Sequence, residues 1–236
     1  MRWEVVPGSP RLIVSSPSAL FPSEPVTVRE LKESPRTPGR YLVVLSNGQQ
    51  CVVGVQALAD AGATRVGAVL EGERLAQFLR AAAVSALIDR ALNSLARGRR
   101  TRRELELKLR RHEPDARLIA EALDRLEASG VVSDAEVARA EASSRLRRGD
   151  APQRVRQTLR RKGVDQRSTD AAIASAVEED GFDELAACRT QAQKRWRSLA
   201  SLEPDVAKRR LMGFLQRRGF SGQVVRAVYR ELLAGD

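Results

Sequence analysis

Histidine, cysteine and aromatic side chains are scarce in this chain. Its 236 residues include one His (His112), two Cys (Cys51 and Cys188) and only 4% aromatics. A zinc site built from Cys and His would need nearly all of the first two types together, and they lie far apart in sequence. Two cysteines 137 positions apart make no disulfide framework, which points to a reducing compartment. Ser-His-Asp and Cys-His arrangements have no support, and there is no glycine-rich phosphate loop. Long apolar runs are also missing: none approaches the roughly 18 residues needed to span a bilayer. The start, Met1-Arg2-Trp3-Glu4-Val5-Val6-Pro7-Gly8, lacks the charged-then-apolar order of a signal peptide. The expectation is a cytoplasmic protein with no membrane association, no metal, no cofactor and no catalytic activity.

What is abundant is positive charge. Lys and Arg number 41 against 30 Asp and Glu, a formal net of +11. Residues 1–86 carry 9 basic and 7 acidic side chains, a net of +2. Residues 87–236 carry 32 and 23, a net of +9. Such an excess implies a polyanionic partner, most often nucleic acid. The competing reading is a basic surface that serves solubility alone.

The N-terminal part divides in two. Residues 1–25 hold five of the ten prolines among serines, without periodicity, and read as a flexible tail. From Val26 to Val53 come three β-branched runs. A Pro- and Gly-containing break at Ser34–Gly39 and the hairpin dipeptide Asn47-Gly48 separate them, which predicts three antiparallel strands. A short helix over Val55–Ala61, ended by Gly62, and a longer one over Glu71–Ala83 complete a small α+β region at 26–84.

The basic part is helical by period and repeats. Leu105-Glu106-Leu107-Lys108-Leu109-Arg110-Arg111-His112, Val155-Arg156-Gln157-Thr158-Leu159-Arg160-Arg161-Lys162 and Leu211-Met212-Gly213-Phe214-Leu215-Gln216-Arg217-Arg218 resemble one another. Their offsets of 50 and 56 residues match one small helical unit. In each copy an apolar residue at i and i+4 faces a core, and a basic pair follows where cations complement the helix C-terminus. Gly163 and Gly219 can take the left-handed conformation that ends a helix. Thr101-Arg102-Arg103-Glu104 and Ser133-Asp134-Ala135-Glu136 match capping boxes, and Pro152 follows Asp150-Ala151 at a first helical turn. Three-helix repeats are thus expected at 85–132, 133–181 and 182–236, opened by helices at Ser85–Ala96, Asp134–Arg148 and Glu184–Leu199.

Each repeat has a dense basic stretch around its second helix, with few acids in the same span. A solvated helix face usually mixes signs in i,i+4 pairs, so the one-sidedness favours polyanion contact. Arg dominates over Lys, which suits bidentate phosphate or carboxylate geometry. Phe214 and Phe220 fall on packing positions, which argues against a base-stacking platform. The acids near 178–184 read as a solvated turn between repeats.

These residues also resemble a family. Ala91-Leu92-x-x-Leu95-x-x-Gly98-x-x-Thr101-x-x-Glu104-Leu105-x-x-x-Leu109 is similar to the first repeat of the RecX regulatory proteins. Leu126-Glu127-Ala128-Ser129-Gly130-Val131-Val132-Ser133-Asp134, Leu159-Arg160-Arg161-Lys162-Gly163-Val164 and Phe214-Leu215-Gln216-Arg217-Arg218-Gly219-Phe220-Ser221 continue the likeness, which covers 26–236. Two departures are His112-Glu113 where Lys-Gly is usual, and no aromatic after Asp134. The resemblance implies a mainly α fold: tandem three-helix repeats in an elongated curved array, after the small N-terminal β/α region. It implies a monomer that binds the RecA protein, its nucleoprotein filament and single-stranded DNA, with weaker affinity for duplex. Such a protein would modulate the recombinase in DNA repair and recombination, mostly by inhibiting ATP hydrolysis and strand exchange or by promoting filament disassembly. By motif position it assigns contacts to Arg154, Arg156, Arg160, Arg161, Lys162, Arg209, Arg210, Arg217 and Arg218. The basic stretches add Arg102, Arg103, Arg110, Arg111, Arg147 and Arg148. The alternative is a free-standing basic helical DNA-binding protein, architectural or transcriptional.

Overall fold

The computed structural model describes residues 24–34 and 39–234. The proline-rich stretch expected as a tail therefore lies outside the described residues, apart from Glu24 and Pro25. Four strands come first: β1 (Val26–Glu33), β2 (Arg40–Leu45), β3 (Gln50–Gly54) and, after helix α1 (Val55–Ala61), β4 (Val69–Leu70). They form an antiparallel sheet in the order β3-β2-β1-β4. The three expected strands are present, and Gly48, at φ +83°, makes the turn between β2 and β3. The two-residue β4 is an addition too short to leave a sequence pattern.

Next come α2 (Gly72–Leu95), α3 (Arg102–Leu109), α4 (Ala116–Ala128), α5 (Asp134–Arg147), α6 (Pro152–Arg161), α7 (Gln166–Glu179), α8 (Glu184–Arg197), α9 (Pro204–Arg217) and α10 (Gly222–Ala234). Here the structure corrects the reading of two helices at Glu71–Ala83 and Ser85–Ala96. They are one helix of 24 residues. Ala81-Ala82-Ala83-Val84-Ser85-Ala86 contains no breaker, and alanine has the highest helix propensity. Leu75, Phe78, Ala82, Leu87, Ala91 and Ser94 form a buried stripe along it. The boundary expected between residues 84 and 85 therefore falls inside α2.

The chain forms two compact units. Of the described residues, one comprises those from 24 to Arg97 together with Lys108–Ala128; the other comprises Gly98–Leu107 and those from Ser129 to 234. In the first unit Val28, Val43, Leu45, Val53, Leu70, Leu75 and Phe78 make a core between the sheet and α2. Arg40 on β2 reaches Asp89 and Ser85 of α2, and Arg80 of α2 pairs with Glu121 of α4 at 2.6 Å. In the second unit, α5, α6 and α7 enclose Ala138, Ala142, Leu146, Val155, Leu159 and Ile173. Helices α8, α9 and α10 enclose Cys188, Ala192, Leu211, Leu215, Val225 and Val228. The i,i+4 pairs Val155/Leu159 and Leu211/Leu215 thus face the cores expected of them, and every one of these four is fully buried. Among the described residues no helix is long and apolar enough to cross a membrane.

Candidate functional site

The repeated basic helices have two kinds of cation, and the local chemistry at their ends separates them. Helices α6 and α9 both end in the same way. Lys162 and Arg218 are the last right-handed residues, and Gly163 (φ +84°) and Gly219 (φ +88°) follow in the left-handed region. The Val164 amide bonds back to the Leu159 carbonyl and the Phe220 amide to the Leu215 carbonyl, which completes the expected glycine caps. The start of the preceding repeat's second helix then docks on each cap. The Thr101 hydroxyl donates to the Lys162 carbonyl oxygen at 2.7 Å, and the Ala151 amide donates to the Arg218 carbonyl oxygen at 2.9 Å. Thr101 and Ala151 are equivalent: each directly precedes its helix, α3 or α6.

The glycines make this approach possible. A β-carbon on Gly163 would stand 2.7 Å from Cβ of Arg103, and one on Gly219 would stand 2.5 Å from the Arg154 amide nitrogen. Around the first joint the capping box is complete. The Glu104 amide donates to the Thr101 hydroxyl (3.2 Å) and the Thr101 amide to the Glu104 carboxylate (3.0 Å). The Arg102 amide donates to Asp134 Oδ1 at 2.7 Å.

The same joints are strung with alternating charges. The Lys162 ammonium lies 3.5 Å from both Glu104 and Glu141. Glu141 pairs with Arg145 at 2.5 Å, Arg145 with Asp150 at 2.9 Å, and Asp150 with Arg218 at 3.1 Å. Six side chains thus make a continuous line, Glu104–Lys162–Glu141–Arg145–Asp150–Arg218, with side-chain exposures between 15% and 29%. Partial burial raises the Glu141 carboxyl pKa. The hydrogen bond from Arg145 and the charges of Lys162 and Arg145 outweigh this and hold it below the ordinary carboxylate value. Arg218 also donates to the Arg148 carbonyl oxygen at 3.1 Å and lies 5.2 Å over the Phe214 ring.

The candidate contact residues therefore do not share one environment. Lys162 and Arg218 sit in the joints, with carboxylate partners. Arg147 pairs with Asp180 at 3.0 Å, and Arg156 with Asp170 at 3.0 Å, both near the surface. The Arg147 and Ser143 hydrogen bonds draw the Asp180 carboxyl below its usual value. Arg102 is half-buried at the start of α3, and Arg110 is exposed at its end. Arg103 flanks Gly163, while Arg154 is half-buried with its backbone against Gly219. The Arg148 side chain is exposed, and its carbonyl accepts from Arg218 and from Gln191. Arg111, Arg160, Arg161, Arg209, Arg210 and Arg217 are exposed and have no carboxylate partner among the described residues. Arg160 and Arg161 close α6, and Arg209 and Arg210 stand on α9.

Sequence reading missed Glu104, Glu141, Arg145 and Asp150 as members of the charge line. Only the i,i+4 spacing of Glu141 and Arg145 signalled part of it. Among the acids at 178–184, Asp183 caps α8 locally, whereas Asp180 holds Arg147 and Ser143 and Glu184 accepts from the Ser221 amide, partners more than thirty residues away. Among the described residues no His, Cys, Asp and Glu cluster could hold a metal ion. The two cysteines are buried, and burial pushes their thiols up, Cys51 to about 11 and Cys188 to about 12.

The helical repeats correspond one by one to a known family. Residues 88–126 match the first three-helix domain of RecX, 133–173 the second and 183–229 the third. The regulatory protein RecX of Halorhodospira halophila is 36% identical over 146 residues, covering 62% of this chain and 88% of its own length. That of Chlorobaculum tepidum is 33% identical over 153 residues, covering 64% and 91%. A crystal structure of a regulatory protein RecX superposes with a TM-score of 0.67 at 19% identity, over 87% of this chain and 99% of its own. RecX from Lactobacillus salivarius gives 0.52 at 22% identity, over 64% and 96%. The two structures share the fold; the domain matches and the identities carry the relationship. With all three helical domains matched in order, the chain belongs to the RecX family of regulatory proteins.

Proposed function

We propose that this protein binds the RecA recombinase and its filament on single-stranded DNA, and that it lowers ATP hydrolysis and strand exchange there. It acts by occupancy, as a cytoplasmic monomer with no chemistry of its own, in DNA repair and recombination. The observation that carries the reading is the set of exposed arginines without carboxylate partners on α6 and α9, namely Arg160, Arg161, Arg209, Arg210 and Arg217. Guanidinium groups in that state are available for phosphate or carboxylate contact, whereas Lys162 and Arg218 are already engaged within the fold. Family membership supplies the regulatory role, and the basic surface supplies the polyanionic side of the partner. These arginines lie on the second helices of the second and third repeats.

The test is RecA-catalysed ATP hydrolysis on single-stranded DNA, titrated with the protein. Inhibition at or below equal molar ratios is expected, weakened by the double reversal Arg160→Glu and Arg161→Glu. Unchanged ATP hydrolysis, together with sequence-specific binding to duplex DNA, would overturn the reading in favour of a free-standing DNA-binding protein.

A further inference from the structure

The third repeat also carries a concave surface. Leu185 at the start of α8 and Gln223, Val224, Arg226, Ala227 and Arg230 on α10 line an open groove of about 500 Å³. Residues 223, 226, 227 and 230 recur at three- and four-residue steps, so they share the outer face of α10. Val225 and Val228 point the other way and are fully buried. The floor is aliphatic. The rim is cationic, because Arg226 and Arg230 are exposed and have no carboxylate partner among the described residues. Among the described residues the Arg230 guanidinium donates only to the Arg226 carbonyl oxygen, at 3.5 Å.

The acids of α8 and α10 do not neutralise this rim. Asp183 accepts from the Leu185 and Ala186 amides, Glu184 from the Ser221 amide, and Glu231 is paired with Arg189 at 2.8 Å. One turn beyond Arg230, Leu233 is 54% exposed and extends the apolar strip. An apolar floor lined along one helix by two guanidinium groups without carboxylate partners complements an apolar side chain accompanied by carboxylates. It is poorly suited to nucleic acid, since bases are held on aromatic faces and no aromatic lines this groove.

We infer that the α8–α10 groove is a docking site for an acidic segment of a partner protein, one that inserts an aliphatic side chain between carboxylates. This inference stands independently of which surface contacts DNA. It is tested on the full chain by fluorescence anisotropy with a labelled peptide bearing one leucine between runs of aspartate and glutamate. Saturable binding is expected. Replacing the peptide's leucine by serine should weaken it at least fivefold, and the double variant Arg226→Glu and Arg230→Glu at least tenfold. The variant Ala227→Glu, which puts a carboxylate on the floor, should weaken it to a similar degree, while Arg226→Lys with Arg230→Lys should retain most binding. Circular dichroism checks that each variant keeps its helix content. Absence of saturable binding, or binding indifferent to both the leucine and the two arginines, overturns the inference. So does a labelled oligothymidylate that binds more tightly than the peptide and fails to bind the same variants, since the groove would then serve nucleic acid.

Discussion

Gly219 lies so close to Arg154 that a β-carbon at residue 219 would stand 2.5 Å from the Arg154 amide nitrogen and 2.8 Å from its Cβ. The Gly219 φ of +88° adds a second cost, since a side chain in the left-handed region is strained by roughly 1–2 kcal/mol. Backbone cannot yield as a side chain can. Gly219→Ala should therefore destabilise the fold by about 3 kcal/mol, strain and overpacking combined. Gly163→Ala meets Arg103 Cδ, which can swing aside, and Arg103 Cβ at 2.7 Å, which cannot, but no backbone atom, and should cost somewhat less. Gly130→Ala, with φ +72° and open space around it, should cost only the strain. Urea melts of the three variants should give that order.

Thr101 is fully buried and its hydroxyl is used twice, as acceptor for the Glu104 amide and as donor to the Lys162 carbonyl. Thr101→Val keeps the shape and leaves both groups without a partner, so a loss of about 2 kcal/mol is expected. Thr101→Ser restores both bonds and should recover most of it. A valine variant as stable as wild type would show that the joint does not depend on this hydroxyl.

Acid should loosen the same region. The Glu141 pKa in the fold is held below its unfolded value, so the carboxylate contributes stability above the ordinary glutamate pKa of about 4.3. That contribution fades as pH falls from there through the lower folded value. Wild type should lose more stability than Glu141→Gln on acidification, and the two curves should converge below the folded pKa. High salt should shrink the gap at neutral pH, because the side chains involved are only partly buried. The pH dependence of the urea midpoint for both proteins checks the sign.

The two kinds of arginine should respond oppositely to removal. Arg160→Ala with Arg161→Ala should leave stability within about 0.5 kcal/mol of wild type. If these groups meet single-stranded DNA, the salt dependence of log K should flatten by about 0.7 for each phosphate that is no longer neutralised. Arg218→Ala removes the Asp150 pair, the bond to the Arg148 carbonyl and the packing over the Phe214 ring. A cost of about 1–2 kcal/mol is expected, with a smaller cost for Lys162→Ala at its 3.5 Å separations.

What was legible in sequence is what short-range chemistry writes there. The strands around Asn47-Gly48, the capping box at Thr101, Pro152 in the first turn of α6 and the glycine ends at Gly163 and Gly219 each act within a few residues. The bond partners of those same groups lie tens of positions away. Thr101 and Lys162 are 61 apart and Asp150 and Arg218 are 68 apart, and no local pattern pairs them. That is why Lys162 and Arg218 read as surface contacts beside Arg161 and Arg217, although the structure gives them carboxylate partners. The unbroken α2 was hidden for a different reason: two stretches with good helical period look alike whether or not a turn separates them. The α8–α10 groove had no signal, because alternating arginine and small apolar residues on a last helix also describe an ordinary outer face.

The single helix α2 also determines how the first unit comes apart. Its N-terminal half packs under the sheet through Leu75 and Phe78, its C-terminal half carries Leu87 and Ala91 onward, and Arg80 ties it to α4. A rod shared by two neighbours couples their melting, since fraying it from either end removes support from both. The sheet and the α2–α4 pair should then exchange their slowest amide hydrogens at one common rate, as a single cooperative block rather than as two modules.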